Sequence, residues 1–171
     1  MKRTLLYIIA LVLTIAAMGQ TLNVKVGNVT YLFPSTQTGE MTYANGETVT
    51  IMGKTFSPSD IDEMTVDNAS VTDNLVDIAY NASGSATVTV AGNVAQYVTP
   101  TISGNHVSIA QTNTDAIDKD EITYQLSGTT TDGEFALDGS YKCTVSLAGV
   151  TLTNPSGPAI NIRNKKRIQI S

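Results

Sequence analysis

Few side chains in this sequence are equipped for chemistry. One His, His106, and one Cys, Cys143, stand among 171 residues, and there is no Trp. A site built on two histidines is therefore excluded, as are a disulfide framework and a Cys-rich zinc module. His106 follows a predicted hairpin turn with no nucleophile signature beside it, and it reads as a surface strand residue rather than a base. Cys143 alternates in phase with Val145 and Leu147, which makes it a small buried hydrophobe in preference to a reactive thiol. Acids gather twice: Asp60, Asp62 and Glu63, then Asp115, Asp118, Asp120 and Glu121. Calcium takes about six to eight oxygen ligands, so the second group can supply part of a shell, while a solvated acidic linker is the other reading. Neither group has the central Gly and closing Glu of an EF-hand loop, and the first fits the start of a helical turn better. Four cations, Arg163, Lys165, Lys166 and Arg167, sit together near the end.

Composition narrows the setting in which these residues act. With 10 basic and 15 acidic residues the formal net charge is -5, which argues against nucleic acid as a partner. Lys2 and Arg3 precede the almost wholly apolar run Leu5 to Ala17, and Ala17 and Gly19 flank the junction with Gln20. That is the form of a secretory leader over residues 1–19, and its apolar run is too short for the roughly 20 residues of a membrane-spanning helix. The expectation is a protein secreted or held at the cell surface, with no membrane insertion once the leader is cleaved. No Cys follows the cleavage point, so no lipid anchor is expected.

Strands must do the positioning. Residues 22–26 and 29–33 alternate around Gly27-Asn28, 41–44 and 48–52 flank Asn45-Gly46, and 98–103 and 106–110 flank Gly104-Asn105. Each is the pattern of a hairpin with a tight primed turn. Further strands are expected at 64–66, 75–80 and 86–90, and one short helical turn over 57–63, with Ser57 as cap and Pro58 in the first position. Residues 20–112 thus predict a small antiparallel β-sandwich-like domain, followed by an acidic linker at 113–120.

From Glu121 the rhythm lengthens. Leu126-Ser127-Gly128, Leu147-Ala148-Gly149 and Ile170-Ser171 each end an alternating strand, at spacings of 21 and 23 residues. Such a period fits coils of a solenoid stacked on one another, and a continuation of the first sandwich is the alternative. Overlaying the strands puts Tyr124, Val145 and Ile168 in one inward column and Leu126, Leu147 and Ile170 in the next. Lys166 then falls awkwardly where Ile122 and Cys143 point inward.

The text of residues 122–171, with the Leu126-Ser127-Gly128 strand end, Asp132-Gly133, the run Leu147 to Leu152, and Ser156-Gly157 leading into Ala159-Ile160, resembles a secreted bacterial carbohydrate-binding family. Residues 49–74 are similar to the N-terminal region of such proteins. The resemblance implies an all-β chain whose residues 121–171 begin a right-handed parallel β-helix. It implies calcium-associated binding of acidic plant polysaccharide and no catalysis. Members run on through many more coils, so the resemblance also implies an incomplete helix here, with an open strand edge prone to self-association.

On that helix, Thr123, Gln125, Lys142, Thr144, Ser146, Lys165, Arg167 and Gln169 would point outward. The candidate ligand-binding residues are Lys142, Thr144, Arg163, Lys165 and Arg167, which can pair with uronate carboxylates and hydrogen-bond sugar hydroxyls. The candidate calcium ligands are Asp115, Asp118, Asp120 and Glu121. Tyr124 and Tyr141 fall in phase with inward residues, so an aromatic stacking platform is not expected there. A structural or adhesive β protein has the same composition. A polysaccharide lyase would need a basic side chain set beside a calcium cluster, a relation the sequence does not show.

Overall fold

Glycines in the left-handed region set the hairpins. The computed structural model describes residues 19–39, 41–44, 46–115 and 120–171. Except for Gly19, the leader expected over 1–19 lies outside them. Gly27 (φ +58°) closes the turn between β1 (Thr21–Val26) and β2 (Val29–Pro34). Strands β3 (Thr42–Ala44), β4 (Thr48–Ile51) and β5 (Lys54–Phe56) form a small antiparallel sheet. The sequence reading missed β5, because the turn that creates it places Met52 at φ +48°, where Met is not an expected turn residue. Residues 57–63 make a hydrogen-bonded turn, Asp60 N to Ser57 O at 3.0 Å, and not the expected capped helical turn. Ser57 Oγ bonds Ser59 Oγ at 2.7 Å, and β6 (Glu63–Asp67) begins at once.

Next come β7 (Leu75–Tyr80), β8 (Thr87–Ala91), a 3-10 turn at Gly92–Tyr97 that the sequence reading missed, β9 (Val98–Ser103) and β10 (His106–Gln111). The remaining strands are β11 (Ile122–Thr130), β12 (Glu134–Gly139), β13 (Cys143–Leu147), β14 (Thr151–Leu152), β15 (Ile160–Asn164) and β16 (Ile168–Ile170). Nearly all regular structure is therefore β, as expected. The larger sheet runs β16-β13-β11-β7-β8-β2-β1-β6, the second β15-β12-β10-β9, and β14 pairs with β11 at a corner. Strands before and after residues 113–120 share both sheets, β7 with β11 and β10 with β12.

Between the two sheets lies one apolar core. Tyr124 of β11 and Phe135 of β12 meet across it with ring centroids 5.9 Å apart, among Ile78, Val90, Val107, Ile109, Leu137 and Val145. Tyr31, Phe33 and Phe56 pack edge and face to fasten the small sheet against the same core. At the entry to β11 a buried polar chain runs from Tyr124 Oη to Gln111 Oε1 (2.9 Å), from Gln111 Nε2 to Asn113 Oδ1 (2.7 Å), and from Asn113 Nδ2 to the Asp120 carbonyl (3.1 Å). Each member of a buried chain needs a partner, and here each has one.

From β10 onward the pairing between successive turns is parallel. Ile122, Tyr124 and Leu126 lie beside Cys143, Val145 and Leu147, while Phe135 and Leu137 lie beside Val107 and Ile109 on one side and Ile160 and Ile162 on the other. The third strand departs from the expected overlay by two residues: Ile168 pairs with Cys143 and Ile170 with Val145. Asn164 causes the shift. Its side chain caps the corner, accepting from the Lys166 amide at 2.9 Å and donating to the Tyr141 carbonyl, so Lys165 and Lys166 are spent on the turn. The misplaced Lys166 of the overlay thus disappears, and Ile168 takes the inward position.

Candidate functional site

Alternation along β11 and β13 buries every second side chain and leaves the others on the outer face of the larger sheet. Parallel pairing then lines these outer residues up across strands. One row holds Thr123, Thr144 and Gln169, and the next holds Gln125 and Ser146. A third row is formed by the residues just before the three strands, Glu121, Lys142 and Arg167. Arg167 Nη2 reaches Glu121 Oε2 at 2.8 Å, and Thr144 Oγ1 donates to Glu121 Oε1 at 3.1 Å. Lys142 Nζ stands 5.3 Å from the centre of the Tyr141 ring.

Of the five candidate ligand-binding residues, Lys142, Thr144 and Arg167 come together on this face. Arg163 belongs to β15 in the second sheet, where it pairs with Asp138 at 3.5 Å, and Lys165 sits exposed in the corner between the sheets. The five do not share one surface, because the β15–β16 corner turns the chain from one sheet to the other.

The candidate calcium ligands are engaged with other groups. Glu121 holds Arg167 and Thr144, Asp115 lies 3.7 Å from Lys166, and the Asp120 carbonyl accepts from Asn113. Asp118 lies outside the described residues. Among the described residues no three His, Cys, Asp or Glu side chains come close enough to hold a metal ion.

His106 stands on the outer face of the second sheet, with Nε2 3.1 Å from Asp132 Oδ1 and Nδ1 3.7 Å from Glu134 Oε2. Cys143 is fully buried, and that burial, with Glu121 adding to it, pushes the thiol up to about 11. Tyr124 and Tyr141 are buried, so neither offers a stacking face.

A second outer feature was missed from sequence. Along β7, Leu75, Asp77 and Ala79 face outward, Asp77 and Ala79 beside Thr89 and Thr87 of β8. A cleft of about 160 Å3 opens over Leu75, Asp77, Thr89, Ala91 and Leu32, walled by residues 70–72. A second, of about 370 Å3, opens over Ala79 and Thr87, walled by the turn at 81–85. Asp77 Oδ1 is buried without a hydrogen-bond partner. The alternation of 75–80 shows that Asp77 faces outward, but nothing in it shows that two loops rise on either side.

Residues 103–171 match the model of a family described as carbohydrate-binding domain-containing protein. The match begins at the end of β9 and covers β10 to β16, so it includes the outer rows of β11, β13 and β16. The description names carbohydrate binding for a domain similar to this part of the chain. No curated protein and no solved structure matches the chain.

Proposed function

We propose that this is an exported, non-catalytic protein that binds acidic polysaccharide on the outer face of β11, β13 and β16, and that its parallel ladders are the opening coils of a right-handed parallel β-helix. The observation that carries the reading is coincidence of place: the family match and the in-register polar rows fall on the same residues. Lys142 and Arg167 supply the cations, and Thr123, Thr144, Gln125 and Ser146 supply hydroxyl and amide partners for sugar hydroxyls. Arg167 leaves Glu121 for a glycan uronate at little cost, because an exposed ion pair contributes only about 0–1 kcal/mol, and the planar guanidinium can meet the new carboxylate with two hydrogen bonds. Strands stacked ~4.8 Å apart present one polar side chain per strand, a repeat close to the length of one sugar residue. The basic, apolar start of the chain supports export. Among the described residues no strand pairs with the outer edges of β15 and β16, which supports self-association, with exposed Ile160 and Ile170 as the apolar contribution.

Affinity electrophoresis through gels containing polygalacturonate tests the proposal. The protein is expected to be retarded, less so at high salt, and Lys142→Ala with Arg167→Ala is expected to weaken binding about tenfold or more. No unsaturated product absorbing in the ultraviolet is expected to accumulate. Unretarded migration in this gel and in gels of neutral polysaccharide would refute carbohydrate binding. Retardation only by neutral polysaccharide would refute the acidic specificity.

A further inference from the structure

The trough over Leu75 and Asp77 is lined by residues outside 103–171 and has its own recognition chemistry. Its base carries one carboxylate, Asp77, between Thr89 and Gln125 on the neighbouring strands. Among the described residues no cation pairs with Asp77, and Oδ1, which water does not reach, has no hydrogen-bond partner. An ionised carboxylate only accepts hydrogen bonds, so its natural partner is a group that donates them. Beside Asp77, Leu32, Leu75 and Ala91 add an apolar lining to the same trough, with Leu32 of β2 paired to Ala91 of β8. Acceptors next to an apolar lining match the two sides of an uncharged pyranose ring, hydroxyls at its rim and C–H groups on its face.

The walls of this trough and of the neighbouring cleft over Ala79 and Thr87 are pinned. Asn93 holds the end of the 70–74 segment, accepting from the Asn74 amide at 3.1 Å and donating to Asn74 Oδ1 at 2.6 Å. Asn105 holds the 81–85 turn, donating to the carbonyls of Asn81 (2.8 Å) and Gly84 (2.9 Å). Walls fixed in this way leave little ordering to be done when a ligand enters.

We propose that the trough is a subsite for a neutral sugar residue, in which Asp77 accepts from ring hydroxyls after a turn of its carboxylate, Thr89 adds a hydroxyl contact, and Leu32, Leu75 and Ala91 receive the C–H face. A uronate is excluded there by repulsion from Asp77. The proposal rests on the carbohydrate-binding reading above and divides the sheet's outer face by chemistry: cationic over β13 and β16, anionic over β7. A polysaccharide that alternates charged and uncharged residues can occupy both, since β7 and β13 flank β11 in the same sheet.

Titration of the full chain by calorimetry with galactomannan, xyloglucan and polygalacturonate tests this, using wild type, Asp77→Ala, Asp77→Asn and Thr89→Val. The wild type is expected to bind at least one of the two neutral polymers. Asp77→Ala is expected to lose about tenfold or more of that affinity while binding polygalacturonate within about twofold of wild type. Asp77→Asn keeps the side chain's shape and removes its charge, so neutral-glycan affinity is expected to fall without a lower melting temperature. Neutral-glycan binding unchanged in Asp77→Ala and Thr89→Val would overturn the subsite and leave the carbohydrate-binding reading standing, as would wild-type binding to polygalacturonate alone. Wild-type binding to none of the three would overturn both. Loss of affinity only in variants that also melt lower, with isosteric Asp77→Asn binding as wild type, would show Asp77 to be structural and overturn the subsite.

Discussion

Cys143 sits in an inward column between Ile122 and Ile168, and its burial has a measurable consequence. The folded thiol holds its proton up to about 11, against an ordinary value of 9.0. A group whose folded value is raised stabilises the fold fully below the unfolded value, and that contribution is lost as pH rises through the folded one. Stability is therefore expected to fall between about pH 9 and 11 with a slope of up to ~1.4 kcal/mol per pH unit from this residue. Urea melts across that window check it: Cys143→Ala is expected to be less stable at pH 8 but flatter above pH 9, and an equally steep fall in the variant would contradict the assignment. Phase with Val145 and Leu147 was enough to read Cys143 as buried, and the place of His106 after a hairpin turn was enough to put it on a strand's outer face, but not to show its acidic neighbours Asp132 and Glu134. Asp77 was not legible in this way, because an outward Asp in an alternating strand looks the same whether the surface around it is flat or walled. The loops that wall it come from sequence on either side of β7.

Hairpins were legible at the scale of elements because Gly27 and Gly104 carry the positive φ their turns require. The shift of β16 was not, because it depends on a corner held by one side chain, Asn164, whose partners lie on β13's approach and in its own turn. Gly128 shows how strict the parallel pairing is. It stands at φ +83°, and a Cβ there would collide with the carbonyl oxygen of Tyr80 on the neighbouring strand. Gly128→Ala is therefore expected to cost about 2–4 kcal/mol, read as a lower midpoint in chemical denaturation. A cost under ~0.5 kcal/mol would mean that β7 and β11 do not approach so closely. Toward the β15 and β16 edges of the two sheets, Leu147, Ile160 and Ile170 are exposed although their column neighbours Leu126, Phe135 and Val145 are buried. Ile170→Lys is expected to reduce self-association in sedimentation velocity, and an unchanged distribution would place association elsewhere.

For the whole molecule, fold class followed from strand alternation, but the continuity of the sheets did not. Residues 113–120 look like a linker in sequence because they are polar and acidic. In the structure Asn113 ties that segment to Gln111 and to the Asp120 carbonyl, and the strands on either side join the same two sheets. One larger sheet therefore carries both outer features, the cationic face over β13 and β16 and the trough along β7. Which of the five candidate residues share a face was not legible, since a sequence overlay cannot say which side of a corner a basic residue takes. Lys142, Thr144 and Arg167 fell on one face, while Arg163 went to the second sheet with Asp138.

Carbohydrate binding by the outer face of the larger sheet is tested most directly by nuclear magnetic resonance of the isotope-labelled chain during titration with oligogalacturonate. Amide shifts centred on Thr123, Lys142, Thr144 and Arg167, with β12 and β15 unmoved, are the predicted result. Shifts confined to Asp138, Arg163 and the rest of the second sheet, or a spectrum unchanged at saturating ligand, would contradict it.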